Sequence, residues 1–358
     1  MNIYLKVYLD KNFGDDLMLY QFVNYFSKQQ PNYVIYIHCE EYLFAFYSEL
    51  LFGFKNIKII QCRLRQIEKY GKAFFDCIVL LGGSVLMGNR YIGCWYRFLN
   101  CQLLDKVKKN GTNYAIIGCN TGPFKNRIME YFVKLEIQRA DLITTRDNAS
   151  FDYLNNIVKR KIIYHFPDIL FSLSNMLQKD ININARALGI AVHGPTREKY
   201  FKFLVELCER YISLTNNKIK LLCFDVGAEN DIVAADMIYN LVSQKNKIDI
   251  VYHESNFHKI IDALRDCDRI ITIRFHAAII ASIMKIPFIT LSYSNKTRNF
   301  MYDINEIDKD FPVDSLNKTT IQTVLKKLFD DPVIVKNDIG INYIGHFKQL
   351  EMLLEQKH

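Results

Sequence analysis

The sequence predicts an α/β protein built as two consecutive doubly wound domains whose sheets are parallel and covered on both faces. Two observations carry that prediction. Short apolar runs rich in β-branched residues alternate with amphipathic stretches along most of the chain, the pattern of repeated βαβ units. A polar pause at residues 175–186 (NMLQKDININAR) divides the alternation into two series of similar length. With 358 residues, each series is long enough to bury its own core.

In the first series the predicted strands are Ile3–Leu9, Tyr33–His38, Ile57–Ile60, Asp76–Leu81, Asn113–Ile117, Asp141–Thr144 and Lys161–Tyr164. Between the first two, Leu19, Phe22, Val23 and Phe26 recur at i, i+3, i+4 and i+7, one apolar stripe of a helix. The second series predicts strands at Ala187–His193, Lys218–Phe224, Ile248–Tyr252, Arg269–Ile273 and Phe288–Leu291. A polar segment follows from Asn299 to Lys318, and helices near Ile321–Phe329 and Gly345–Gln356 close the chain. The expected organisation is therefore an N-terminal domain over 1–175, a C-terminal domain over 186–330 and a helical segment over 331–358. Two Rossmann-like domains in series suggest a GT-B-like arrangement with the ligand in an interdomain cleft, beyond the carboxyl ends of the strands.

Composition narrows the function. Half of the residues are apolar and about an eighth aromatic, which excludes a disordered chain. The 46 basic residues exceed the 38 acidic ones by eight, but they are scattered with no Lys/Arg block. Anionic small molecules or an anionic membrane surface are thus expected as partners, and no nucleic acid. Nine cysteines, without a Cys-x-x-Cys and mostly inside apolar runs, predict reduced thiols and a cytoplasmic protein. No uncharged apolar run reaches the ~18 residues of a membrane span, so any membrane association is expected to be peripheral. The aromatics Tyr91, Trp95, Tyr96 and Phe98 suit a membrane-borne glycan, but are expected to form the buried face of a helix.

Chemistry is expected at the strand-to-helix turns. Arg274-Phe275-His276 follows a buried strand and opens an Ala-rich helix, where free backbone N–H groups and the helix dipole favour an anion. Arg274 adds a forked cation matched to carboxylate or phosphate, and His276 a proton mobile near neutral pH. An Arg paired to a carboxylate and a His capping the helix fit the same residues equally well. Lys296, after the next strand, offers a second cation, or a solvated surface charge. Asn12-Phe13-Gly14-Asp15-Asp16 follows the first strand; one Asp suffices as a cap, leaving the other as a base toward a hydroxyl. Gly82-Gly83-Ser84, Asn120-Thr121-Gly122-Pro123 and Thr144-Thr145-Arg146-Asp147 end three further strands. No histidine or acidic cluster has metal-ligand spacing, and no Walker, Gly-x-Gly-x-x-Gly or Gly-x-Ser-x-Gly motif occurs.

Taken in order, these turns resemble the polysaccharide pyruvyl transferase family. Arg274-x-His276, Ile286-Pro287, Ser292-Tyr293 and Lys296 look like its most specific block, with Asn12-x-Gly14-Asp15, Gly82-Gly83, Arg146-Asp147-x-x-Ser150 and Pro167-Asp168 before it. Gly-Gly-Ser stands where a third Gly is common, and the last ~60 residues carry no match. The resemblance implies transfer of pyruvate from phosphoenolpyruvate, as co-substrate, onto two hydroxyls of a sugar, giving a cyclic ketal and phosphate without cofactor or metal. It implies a donor site of Arg274, Phe275, His276 and Lys296 on the C-terminal side, completed by Arg146. His276 would be the acid and Asp15 or Asp16 the base from the N-terminal, acceptor side, with Asn12, Gly14, Gly82, Gly83 and Asn120 in the cleft loops. The implied acceptor is a galactose-containing glycan linked to undecaprenyl diphosphate, met by peripheral contact with the inner membrane.

A nucleotide-sugar glycosyltransferase of the same architecture competes with this reading. It would want a Glu-x(7)-Glu pair for the donor, which Asp303, Glu306 and Asp308 do not supply by spacing. A non-catalytic binder competes less well, because the aromatics follow core periodicity.

Overall fold

A computed structural model describes the chain except residues 72, 85, 88–90, 123, 125, 159–161, 178–185, 195–197, 334–341 and 357–358. It contains two compact units, each formed around one parallel sheet.

The N-terminal domain holds β1 (Asn2–Lys6), α1 (Phe13–Gln29), β2 (Val34–His38), α2 (Phe44–Leu50), β3 (Ile57–Ile60) and β4 (Cys77–Leu81). It continues with α3 (Tyr91–Lys109), β5 (Asn113–Cys119), α4 (Arg127–Gln138), β6 (Leu142–Thr145), α5 (Asn148–Ile157) and β7 (Tyr164–His165). Strand order is β3-β2-β1-β4-β5-β6-β7, every pair parallel, so the winding reverses between β1 and β4. The strands are apolar throughout because helices cover both faces; Cys77–Leu81 is buried at every position.

The C-terminal domain holds α6 (Ser174–Leu177), β8 (Ala187–Ala191), α7 (Glu198–Thr215), β9 (Ile219–Cys223), α8 (Asp231–Leu241), β10 (Ile248–Tyr252) and α9 (His258–Arg265). After these come β11 (Cys267–Thr272), α10 (Phe275–Met284), β12 (Phe288–Thr290), α11 (Asn295–Asp303) and α12 (Lys318–Asp330). Its sheet runs β10-β9-β8-β11-β12, again all parallel, with the reversal between β8 and β11. One core unites Leu188, Ile190, Leu221, Ile271 and Ile289 of the strands with Leu204, Leu207 and Tyr211 of α7.

Each predicted strand has a counterpart, most shifted by one to three residues at an end, where fraying and capping blur the boundary. The predicted strand start at Lys161, part of the 175–186 pause and part of the 331–358 segment lie outside the described residues. The polar stretch from Asn299 conceals α11, whose inward residues are few: Thr297, Phe300 and Met301.

Two segments join a unit away from their place in the chain order. Asp10–Gly14 groups with the C-terminal domain, although α1 continues in the N-terminal one. A final helix, α13 (Gly345–Glu355), packs in the N-terminal domain against β5 and β6. Phe347 of α13 meets the rings of Phe22, Tyr25 and Phe26 of α1, and Tyr25 Oη donates to Glu351 at 2.8 Å. His346 anchors it further. The Thr144 hydroxyl accepts from Gly118 N–H and so donates to Nδ1, 2.7 Å away, leaving Nε2–H to donate to Pro167 O at 2.9 Å.

Candidate active site

The winding reversal of the C-terminal sheet brings the carboxyl ends of β8 and β11 side by side, which is where open α/β sheets bind ligands. β8 leads into Val192-His193-Gly194 and β11 into Ile273-Arg274. The neighbouring strands β9 and β12 deliver Phe224-Asp225 and Ser292-Tyr293. Four strand ends therefore supply the polar cluster.

Arg274 is the N-cap of α10, in extended conformation, and its side chain is buried. Its Nε donates to Asp231 Oδ2 at 3.0 Å, while Nη2 meets Asp231 Oδ1 and Nη1 meets Glu229 Oε2. Asp231, fully buried at the start of α8, is itself fixed by the N–H groups of Gly194, Phe224 and Asp225 at 2.9–3.0 Å. Burial works against the guanidinium charge, but Asp231 and then Glu229 outweigh it, so Arg274 is held more firmly protonated than a free arginine. Of the two carboxylates Glu229 is the more exposed. Burial would raise it, but the neighbouring imidazole of His193 and the charge of Arg274 prevail and hold its carboxyl at about 2. His193 lies 3.5 Å from Glu229 Oε2 and stacks on Tyr293 with ring centres 4.1 Å apart. Burial, then Glu229, pushes the Tyr293 hydroxyl up to about 12.

His276 is buried in the first turn of α10. Gly14 lies against its ring, so closely that a Cβ there would stand 1.8 Å from Nδ1. The Asn12–Gly14 turn is stitched to the same domain. Asn12 Nδ2 donates to Asp225 Oδ2 at 3.0 Å, Asn12 Oδ1 accepts from Gly14 N–H, and Phe13 N–H donates to Phe224 O at 2.7 Å. Phe13 also meets the rings of Phe224, His253 and Phe257. Burial raises the Asp225 carboxyl, with Asn12 opposing it.

The predicted residues thus fall into separate groups. Arg274, Phe275, His276, Asn12 and Gly14 come together in the C-terminal domain, and Lys296 lies half-buried in the first turn of α11, after β12. Arg146, Asn120, Gly82 and Gly83 lie in the N-terminal domain. There Arg146 is buried, donating through Nε to Asn120 Oδ1 at 2.7 Å and through Nη1 to Asp168 Oδ2 at 2.8 Å. Gly82 and Gly83 both take positive φ, 58° and 70°, in the turn after β4. Asp15 and Asp16 are in the first turn of α1; Asp16 is fully buried and accepts from Tyr47 Oη at 2.8 Å. Sequence reasoning missed His193, Asp225, Glu229 and Asp231. Each lies in the loop after a strand end or in the first turn of the next helix, and the three carboxylates within Asp225–Asp231, after β9, were the available signal.

A sequence model of the family described as polysaccharide pyruvyl transferase matches residues 12–295. The chain belongs to the polysaccharide pyruvyl transferase family. The match starts at the Asn12 turn and ends just past Tyr293, so it spans the whole cluster around Arg274 and His276. No curated protein sequence is similar enough to match. Solved structures are similar in fold. The UDP-GlcNAc 2-epimerase of Methanocaldococcus jannaschii, in complex with UDP-GlcNAc and UDP, matches at 16% identity, covering 99% of each chain with a TM-score of 0.67. The UDP-GlcNAc 2-epimerase of Neisseria meningitidis bound to UDP-GlcNAc matches at 11% identity over 99% of each chain, TM-score 0.65. A glycosyltransferase of Rickettsia africae matches at 13% identity over 99% of this chain and 98% of its own, TM-score 0.53. At these identities the likeness is one of fold: two Rossmann-like domains, as the strand pattern predicts. Membership of the family makes the chain an enzyme that transfers pyruvate in polysaccharide synthesis.

Proposed function

We propose that the enzyme transfers pyruvate from phosphoenolpyruvate to two hydroxyls of one sugar, forming a cyclic ketal and releasing phosphate. The observation that carries this reading is the placement of Arg274 and His276 at the start of α10, beside the winding reversal of the C-terminal sheet. Backbone N–H groups and the helix dipole there favour phosphate or carboxylate. The incoming anion competes with Glu229, the more exposed carboxylate, for the Nη1 edge of Arg274, while Asp231 keeps the other edge. Lys296 supplies further positive charge, so the charge neutralisation needs no metal.

The atoms balance within donor and acceptor. Two sugar oxygens bond to C2 of phosphoenolpyruvate, and the bond from C2 to the phosphate oxygen breaks. One hydroxyl proton ends on C3, turning the methylene into a methyl group, and the other leaves with phosphate. His276, with Nε2 at the ring end farther from Gly14, is the acid for one of these transfers. As base toward the hydroxyl Asp15 is favoured over Asp16, whose carboxylate is enclosed and bonded to Tyr47. The acceptor in this reading is a galactose-containing precursor on undecaprenyl diphosphate, and the enzyme is cytoplasmic and peripheral to the inner membrane.

Purified protein given phosphoenolpyruvate and a panel of galactosides, free and lipid-linked, should release phosphate only with acceptor, the product gaining one pyruvylidene group. Intact phosphoenolpyruvate over the whole panel, with thermal stabilisation by nucleotide sugars instead, would overturn the reading in favour of a glycosyltransferase.

A further inference from the structure

We infer that an aromatic strip across α3 and α4 of the N-terminal domain is a docking face for an anionic lipid bilayer. The sequence suggested that the aromatics of α3 face inward. In the structure Trp95 is 63% and Tyr96 46% exposed, joined on α4 by Tyr131 at 58% and Ile128 at 52%. The side chain of Tyr91 lies outside the described residues. Half-buried Phe98 and Phe132 link the exposed rings of Trp95 and Tyr131: Trp95 meets Phe98 at 5.6 Å, Phe98 meets Phe132 at 6.1 Å, and Phe132 meets Tyr131 at 5.5 Å. Scattered apolar side chains on a surface mean little, but a connected band across two packed helices is an interaction surface.

The charge around the strip selects the partner. Arg65 stacks on Tyr96 at 4.3 Å, with the Lys6 ammonium 5.5 Å from the same ring. Arg127 and Lys134 stand four residues before and three after Tyr131, on its side of α4. Neither they nor Lys6 and Arg65 have an acidic partner among the described residues. Of the acidic residues of the two helices, Asp105 is paired with Arg139 and Glu136 with Arg97, while Glu130 accepts from the neutral Tyr153 hydroxyl, so the cations around the strip remain in excess. Aromatic rings framed by an excess of cations match the headgroup layer of an anionic bilayer, where the rings sit at the interface and the cations meet lipid phosphates. No helix among the described residues is long and apolar enough to cross a membrane. This surface is independent of the transfer chemistry and is tested without donor or acceptor.

Trp95 is the only tryptophan, so tryptophan emission, excited at wavelengths that tyrosine does not absorb, reports on the strip alone. Vesicles of equimolar phosphatidylcholine and phosphatidylglycerol should shift its emission to the blue, shield it from acrylamide and, with brominated chains, quench it. The effect should fade as salt rises and be absent with phosphatidylcholine alone. Tyr131→Ser with Ile128→Ser should lower partitioning by about tenfold or more, and Arg65→Glu with Arg127→Glu by a similar factor, both with unchanged circular dichroism and melting. An unshifted Trp95 with protein absent from floated vesicles would overturn the inference. So would equal binding to neutral vesicles, or a blue shift without lipid that tracks a doubling of mass, which would make the strip a contact between copies of the chain.

Discussion

The backbone of Gly14 rests against the imidazole of His276, 262 positions away in the sequence, with no room for a methyl group between them. A helix-opening turn at the start of the chain therefore sets where the proposed acid can stand. Gly14→Ala should push the His276 ring aside, lowering kcat at least ~10-fold and stability by about 1–3 kcal/mol, as overpacking does. Phosphate-release kinetics beside a urea melt would check this; an unchanged kcat would show that the ring has room to stay in place.

His276→Ala should lower kcat by roughly 10²–10⁴ while the melting temperature hardly moves, the expectation for a proton donor in a preformed site. An unchanged rate would remove His276 from the chemistry.

The two carboxylates on Arg274 should separate in their effects. Asp231→Ala leaves a buried guanidinium without its main partner and should cost about 3–5 kcal/mol in denaturant unfolding. Glu229→Gln removes the charged competitor for Nη1, and should lower the KM for phosphoenolpyruvate about fivefold while costing some stability at pH 7, where a carboxyl held at about 2 is ionised and stabilising.

His346 makes the N-terminal domain sensitive to acid. Burial pushes its imidazole down to about 3, so it stays neutral in the folded chain while a free histidine takes up a proton near 6.5. The unfolded chain then binds the extra proton, and stability present above pH ~6.5 is lost progressively toward about 3. Urea melts at pH 7 and 4.5 should show that loss in the native sequence and a smaller one in His346→Gln.

Much of this was legible in the sequence, for identifiable reasons. A strand buried on both faces must be apolar throughout, so Cys77–Leu81 and Ile270–Ile273 announce themselves, and the turns after them follow. Arg274, His276 and Gly14 were found by that rule. Their pairing was not: whether Arg274 is open or clasped depends on Glu229 and Asp231, more than forty positions earlier, which only the closure of the sheet brings near. Local pattern was equally silent on Trp95, because an aromatic at helical spacing reads as core until the neighbouring helix shows which face is covered. The helix α11 was hidden by its composition, since only Thr297, Phe300 and Met301 turn inward.

The attachment of α13 to β5, β6 and α1 gives the order of synthesis a physical consequence. Phe22, Phe26 and Thr144 emerge from the ribosome long before Phe347 and His346, and until then an apolar face of the N-terminal sheet has no cover. A nascent chain halted after the C-terminal sheet would thus hold a finished second domain and an unfinished first one. Residues 1–172 expressed alone should aggregate, and a peptide of Gly345–Glu355 supplied in trans should bind and solubilise them.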